Sequence, residues 1–120
     1  MALSTVEDYV NEARVLLQDQ VSPYRYADLE LVSALNFALL ETRRLRPDLF
    51  LGDGTTTTLE EIDQFTVVND DAVDIEQGFR LAILFAVCAF AMMRDQEDVT
   101  DQRVGGFMKL FMDRMITLRS

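Results

Sequence analysis

The chain has 120 residues, of which 49% are hydrophobic and 27% are charged. A chain of this length and composition buries enough surface to fold, so we predict a single domain over residues 1–120 and exclude a disordered chain. Twenty-one acidic residues against eleven basic ones give a net charge of -10. This charge disfavours nucleic-acid binding, because the domain repels phosphates. The only cysteine, Cys88, excludes an internal disulfide and favours a reducing cytoplasm.

Neither an export signal nor a membrane span is predicted from the sequence. The first residues lack the basic start and apolar stretch of a signal peptide, and Glu7 and Asp8 follow soon after. The longest apolar run covers 13 residues, 81–93, whereas a helix needs about 20 to cross a bilayer. We therefore expect this run to be a buried core helix.

Two amphipathic helices are predicted in the first part of the chain. Ser4 and Glu7 match a capping box, and apolar residues then repeat at helical spacing, which predicts helix one over residues 5–19. Asp28 is a suitable N-cap for a second periodic segment, which predicts helix two over residues 29–45.

The middle of the chain, residues 48–73, has no sustained helical periodicity. It predicts a long loop that contains a short helical turn and one extended segment near residues 65–68. Loops of this length are uncommon in compact domains and are often functional, so we expect residues 52–68 to become ordered on assembly with a partner. The candidate interface residues in this loop are Thr55, Thr56, Thr57, Thr58, Phe65 and Val67.

Two further helices complete an all-α bundle of about four helices with a long middle loop. Helix three is predicted to begin after Asp71 or Asp74 and to end near Asp95, and its nearly uniform apolar character predicts a central position. Helix four is predicted from the acidic segment 95–101 to the C-terminus. Either it begins after Gly105 and Gly106, or another element packs closely against them. The side chains that we expect to be buried are Leu35, Leu39, Phe79, Ile83, Phe90 and Phe111.

The sequence offers few groups for catalysis. There is no histidine, the commonest general base and metal ligand, and Cys88 lies in an apolar run with no cation to activate it. Residues 69–74 resemble a cation loop but lack the glycine and distant glutamate of an EF-hand, so they favour helix capping over metal binding. We predict no catalytic residue, no metal site, no cofactor and no enzymatic activity.

The connector between the first two helices holds a cluster of aromatic and arginine side chains, which either staples the turn or forms an interface anchor. These residues, Tyr24, Arg25 and Tyr26, open the segment 24–28, YRYAD, which resembles head-tail adaptor proteins of tailed bacteriophages. The resemblance continues through Leu35–Asn36 and then through residues 41–50, ETRRLRPDLF. It covers the first 50 residues best, whereas the rest of the chain matches only in its order of loop and helices.

This resemblance implies a helical, non-catalytic structural protein of the virion that is assembled in the host cytoplasm. Proteins of this kind, also called connector or head-completion proteins, form rings, commonly of twelve copies, between the portal protein and a tail or nozzle protein. An acidic lining suits a channel that DNA crosses without being held. The segment 52–58 matches no family motif. Two alternatives stay open, an acidic regulatory or DNA-mimic protein that binds a partner protein, and a small enzyme without histidine.

Overall fold

A computed structural model describes residues 3–46, 65–73, 75, 77–93 and 102–117. These residues form four α-helices, as the sequence predicts, and no strand. A 3₁₀ turn, Gln77–Phe79, precedes the third helix. The helices are α1 (Val6–Leu17), α2 (Asp28–Leu45), α3 (Arg80–Met93) and α4 (Gln102–Thr117).

The start of α1 is held by a capping box that is shifted by one residue from the predicted one. Thr5, not Ser4, is the N-cap: its Oγ1 accepts a hydrogen bond from the Asp8 N–H (3.2 Å), and the Asp8 carboxylate accepts one from the Thr5 N–H (3.2 Å). The shift has a clear cause, since Asp8 also accepts hydrogen bonds from Ser4 N–H and Oγ. One carboxylate thus satisfies three donors, and Glu7 is not part of the box.

The segment 69–73 closes over the same end of α1. The first helical N–H groups, which have no partner within a helix, donate to backbone carbonyls of this segment: Val6 to Asp71 (3.0 Å) and Glu7 to Asn69 (2.9 Å). A single antiparallel bridge joins Thr5 and Ala72. The predicted capping role of this segment was therefore assigned to the wrong helix, because its carbonyls complete α1 and it does not begin helix three.

The connector between α1 and α2 is organised by a buried arginine. Arg14 Nη1 donates to Asp19 Oδ2 (2.9 Å) and to the Tyr26 carbonyl (2.9 Å), and Nη2 donates to Asp28 Oδ1 (2.6 Å). Asp28 is thus the first residue of α2 and not its N-cap; Ala27 holds that position without a side-chain bond. The backbone N–H groups of Arg25 and Tyr26 donate to Asp19. The charged groups of Arg14 and Asp19 therefore each make several hydrogen bonds.

The core lies around α3, which contacts α1, α2 and α4. Its central position confirms the prediction, but α3 begins at Arg80, several residues after Asp71 or Asp74. Phe79 is buried in the preceding 3₁₀ turn. At this same end of α3, Arg46 Nη1 donates to the Met115 carbonyl in the last turn of α4 (2.8 Å), and the Arg46 guanidinium lies over the Phe79 ring.

Five of the six predicted core residues are buried, and the sixth is not. Phe90 is half-buried, because the side of α3 on which it lies is only partly covered by α2. The five confirmed residues are Leu35, Leu39, Phe79, Ile83 and Phe111. In the part of the chain that the structure describes, no helix is both long enough and apolar enough to cross a membrane.

Candidate functional site

An apolar groove lies between α2 and α3 in the part of the chain that the structure describes. It has a volume of about 520 Å³ and is lined on one side by Phe90 and Met93 of α3. Phe37 of α2 is 47% exposed, and its ring centroid lies 6.2 Å from that of Phe90, with the rings tilted by 52°. The remaining lining residues are Leu40, Glu41 and Arg44.

The α2 wall of the groove follows from the spacing of its residues. Positions 37, 40, 41 and 44 lie three or four residues apart and therefore share one face of the helix. The opposite face of α2 is buried and includes Leu35, Ala38 and Thr42, whose Oγ1 donates to the Ala38 carbonyl (2.8 Å). Because the inner face already supplies the core contacts, Phe37 and Leu40 stay at the surface.

An ion pair forms the polar rim of the groove. Arg44 Nε donates to Glu41 Oε1 (2.8 Å), and Nη2 donates to the same oxygen. The hydrogen bond to Glu41 raises the pKa of Arg44 above its ordinary value. The opposite charges of the two side chains cancel within the pair. A groove with an apolar floor and a small neutral rim suits an apolar protein element more than an anion or a nucleic acid.

The sequence contains a signal for this groove that lies outside the main apolar periodicity of helix two. Phe37 and Leu40 are large apolar residues on the side of helix two away from its main apolar face. The sequence predicts a buried Phe90 because its helix is apolar on nearly all sides, and this pattern does not show which side faces solvent. The contact between α2 and α3 that creates the groove is tertiary and cannot be read from either helix alone.

The structure separates the three predicted interface residues of the connector. Tyr26 is buried in the core, so it staples the turn. Tyr24 is about half exposed, and the Arg14 guanidinium lies over its ring, 3.9 Å from the centroid. Arg25 has an exposed side chain, and its N–H is bound by Asp19 (2.7 Å). Of the two tyrosines, only Tyr24 offers surface to a partner.

The middle-loop candidates fall into a described part and an undescribed part. Phe65 packs against the core and is fixed to α2 by Asn36, whose Nδ2 donates to the Phe65 carbonyl (2.8 Å) and whose Oδ1 accepts from its N–H (2.9 Å). Val67 is exposed. The four threonines 55–58 lie outside the described residues. The bonds to Asn36 thus anchor Phe65 on α2, away from Tyr24 and Tyr26 in the sequence.

Two buried reactive groups take no part in this surface. Cys88 is fully buried, and burial raises its pKa to about 12, so its thiol is protonated at neutral pH. The Tyr9 hydroxyl is buried without a hydrogen-bond partner among the described residues, and burial raises its pKa above the ordinary value. Within the described ranges, no three acidic or cysteine side chains lie close enough to hold a metal ion.

Comparison with known proteins adds no relative: the chain matches no family model, no curated protein and no solved structure.

Proposed function

We propose that this chain is a structural subunit of a head-tail adaptor ring in a tailed bacteriophage. In this role it docks on the portal protein, joins the portal to a tail or nozzle protein, and lines an acidic channel for DNA. The observation that carries the proposal is the groove between α2 and α3, an exposed aromatic surface of the kind that anchors protein interfaces. Its α2 wall includes Glu41 and Arg44, which belong to the segment with the adaptor resemblance.

The groove is proposed to receive an apolar element of the adjacent copy in the ring. A ring of identical subunits uses a heterologous contact, in which one surface of each copy meets a different surface of the next. Exposed phenylalanine and methionine side chains favour such a contact, because burying them removes apolar area from water. The neutral rim formed by Glu41 and Arg44 limits the repulsion between neighbouring copies, each of which carries a net charge of -10.

The buried connector supports the proposal in a different way. Tyr26 and Asp28, which belong to the resembling segment, contact Arg14 and fix how α1 leads into α2. Their role in this chain is to shape the helix pair, so the resemblance concerns the fold of the subunit more than a binding surface. The exposed Tyr24 beside them is a candidate contact for the portal protein.

The proposal is tested by the change Phe37→Asp. Placing a charge in the groove should abolish ring formation at high protein concentration, observed by electron microscopy and sedimentation velocity, and should weaken binding to rings of the cognate portal. Leu29→Asp is the matched control, because Leu29 is 66% exposed on the same helix and lies two turns before Phe37. Wild-type protein that forms no ring and binds no portal would contradict the adaptor proposal.

The net charge of -10 favours one other function, that of an acidic protein that occupies the DNA site of a partner protein. Such a mimic needs exposed carboxylates and a basic partner, and it does not need an apolar groove. Binding to a basic DNA-binding protein that Phe37→Asp leaves unchanged would support this alternative.

A further inference from the structure

The second half of the molecule has a surface that the adaptor proposal does not use, the outer side of α4. Gly105 and Gly106 lie inside this helix, are exposed, and do not have the positive φ that requires glycine. Apart from the chain neighbours and the nearby backbone of the helix itself, no heavy atom of the described residues lies within 4 Å of a Cβ built at either position. Glycine inside a helix lowers its stability relative to alanine. Neither the backbone conformation nor a contact with another described residue explains this pair.

The residues around the glycines form a stripe along the outer side of the helix. Gly106, Lys109, Asp113 and Ile116 are spaced by three, four and three residues, so they fall on one line. All four are exposed, and Ile116 is 62% exposed. The opposite side of α4 packs on the core through Phe111 and Met115. We refer to these four residues as the α4 stripe.

We propose that the α4 stripe pairs with the α4 stripe of a second copy, antiparallel, about a two-fold axis beside position 111. Positions 106, 109, 113 and 116 are symmetric about this point. The axis therefore places Gly106 opposite the isoleucine at position 116 of the second copy, and Lys109 opposite the aspartate at position 113. Each relation occurs twice in an isologous pair.

Size and charge both favour this arrangement. A glycine opposite an isoleucine lets the two helices approach closely, with the large side chain lying on the exposed backbone. A lysine opposite an aspartate gives two attractive contacts across the axis, in addition to the interaction that Asp113 already makes within its own chain. A parallel pair would place lysine against lysine and aspartate against aspartate, which is repulsive. The charges thus select the antiparallel pair.

The pairing is independent of the proposed function, because an isologous contact closes at two copies and a ring needs a heterologous one. It is also a small contact. One pair of short helices buries less than the roughly 1,200–2,000 Å² of a stable interface, and the two copies repel through their net charge. We therefore expect a reversible dimer that forms as the concentration rises, at salt near 0.15 M, where the Debye length is about 8 Å.

The first test uses the charge pair, with sedimentation equilibrium of the full chain in the absence of portal. Lys109→Asp leaves two acidic residues on the stripe and Asp113→Lys leaves two basic ones, so each variant alone should be monomeric. An equimolar mixture should form a heterodimer, because every pair across the axis is then attractive. Wild-type protein that is monomeric at every concentration, or a mixture no more associated than its components, would overturn the proposal.

The second test locates the axis. Under mild oxidation, a mixture of Gly106→Cys and Ile116→Cys chains should form intermolecular disulfides. Either variant alone should form at least tenfold fewer, because each position lies far from the same position in the second copy. Gly106→Leu should remove the dimer while leaving the helical circular dichroism unchanged or the melting temperature higher, since leucine favours a helix. A dimer that persists in Gly106→Leu would refute the pairing. These tests measure only the α4 dimer. The comparison of Phe37→Asp with Leu29→Asp measures ring formation and portal binding, so either proposal can fail without the other.

Discussion

Arg14 is a buried charge whose partners all lie in one short stretch of chain. Its side chain and that of Asp19 are 7% and 8% exposed, and the same guanidinium binds the Tyr26 carbonyl and Asp28. A buried ion pair adds little net stability when complete, but removal of one partner leaves the other charge unpaired in a poor solvent. The connector therefore tolerates neither charge alone.

We expect Arg14→Leu to destabilise the protein by about 3–5 kcal/mol. The matched control is Asp28→Asn, which alters another bond of the same guanidinium (2.6 Å) but at a carboxylate that is 64% exposed, and should cost at most about 1 kcal/mol. Urea unfolding followed by circular dichroism measures both. Equal losses in the two variants would show that burial of the Arg14–Asp19 pair is not what holds the connector.

The start of α1 shows how several weak local contacts define one end of a helix. Asp8 accepts hydrogen bonds from Ser4 and Thr5, and these bonds lower its pKa from the ordinary value of 3.8. The carboxylate is also placed in the first turn, where the helix dipole favours a negative charge. Thr5 completes the cap, and an N-cap threonine is typically worth about 1 kcal/mol relative to alanine.

The lowered pKa of Asp8 predicts a pH-dependent contribution to stability. Because the folded-state pKa lies below the unfolded value of 3.8, the stabilisation is complete well above pH 3.8 and is lost as the pH falls through the folded-state pKa. Asp8→Asn should therefore lower the melting temperature at pH 7, and the difference from wild type should shrink below about pH 4. Glu7→Gln, on the same turn, is the control and should show a smaller difference. A deficit in Asp8→Asn that is the same at pH 3 and pH 7 would contradict the prediction.

At the scale of helices, apolar periodicity predicts the features that depend on a single helix, such as its position and its buried face. It does not predict the features that depend on how two helices pack. The four helices and five buried residues followed from apolar spacing, because each helix must bury one face. The start of α3 was misplaced because Asp71 resembles a cap, whereas its carbonyl binds the Val6 N–H of α1. The half-exposure of Phe90 depends on how far α2 covers α3, which no single segment encodes.

The glycine pair of α4 and the tyrosines of the connector also depend on tertiary structure. The glycine pair in α4 was visible in the sequence, but only the structure shows that the helix includes it and that the described residues leave it open. Tyr26 was grouped with Tyr24 because they are neighbours in sequence, although the turn buries one and exposes the other. Adjacent residues in a connector point in directions that tertiary bonds decide, here those of Arg14 and Asp19.

At the scale of the whole molecule, the net charge of -10 opposes every contact between copies. Twelve such subunits in the proposed ring would repel one another strongly. Salt screens this repulsion, because the Debye length falls from about 10 Å at 0.1 M to about 3 Å at 1 M. The groove contact gains nothing from long-range attraction, because its apolar floor is rimmed by the neutral pair Glu41–Arg44.

Raising the salt concentration should therefore promote assembly of the adaptor ring, whereas a DNA mimic should lose affinity for its basic partner as salt rises, because that contact is driven by opposite charges. The sign of the salt dependence thus separates the two functions. It can be measured by sedimentation velocity between 0.05 and 1 M sodium chloride, with Phe37→Asp as the control that should not form a ring at any salt concentration. We also expect no binding of duplex DNA at the lowest salt, where a basic surface would bind most tightly. Assembly that weakens with salt would mean that ion pairs, and not the apolar groove, hold the copies together.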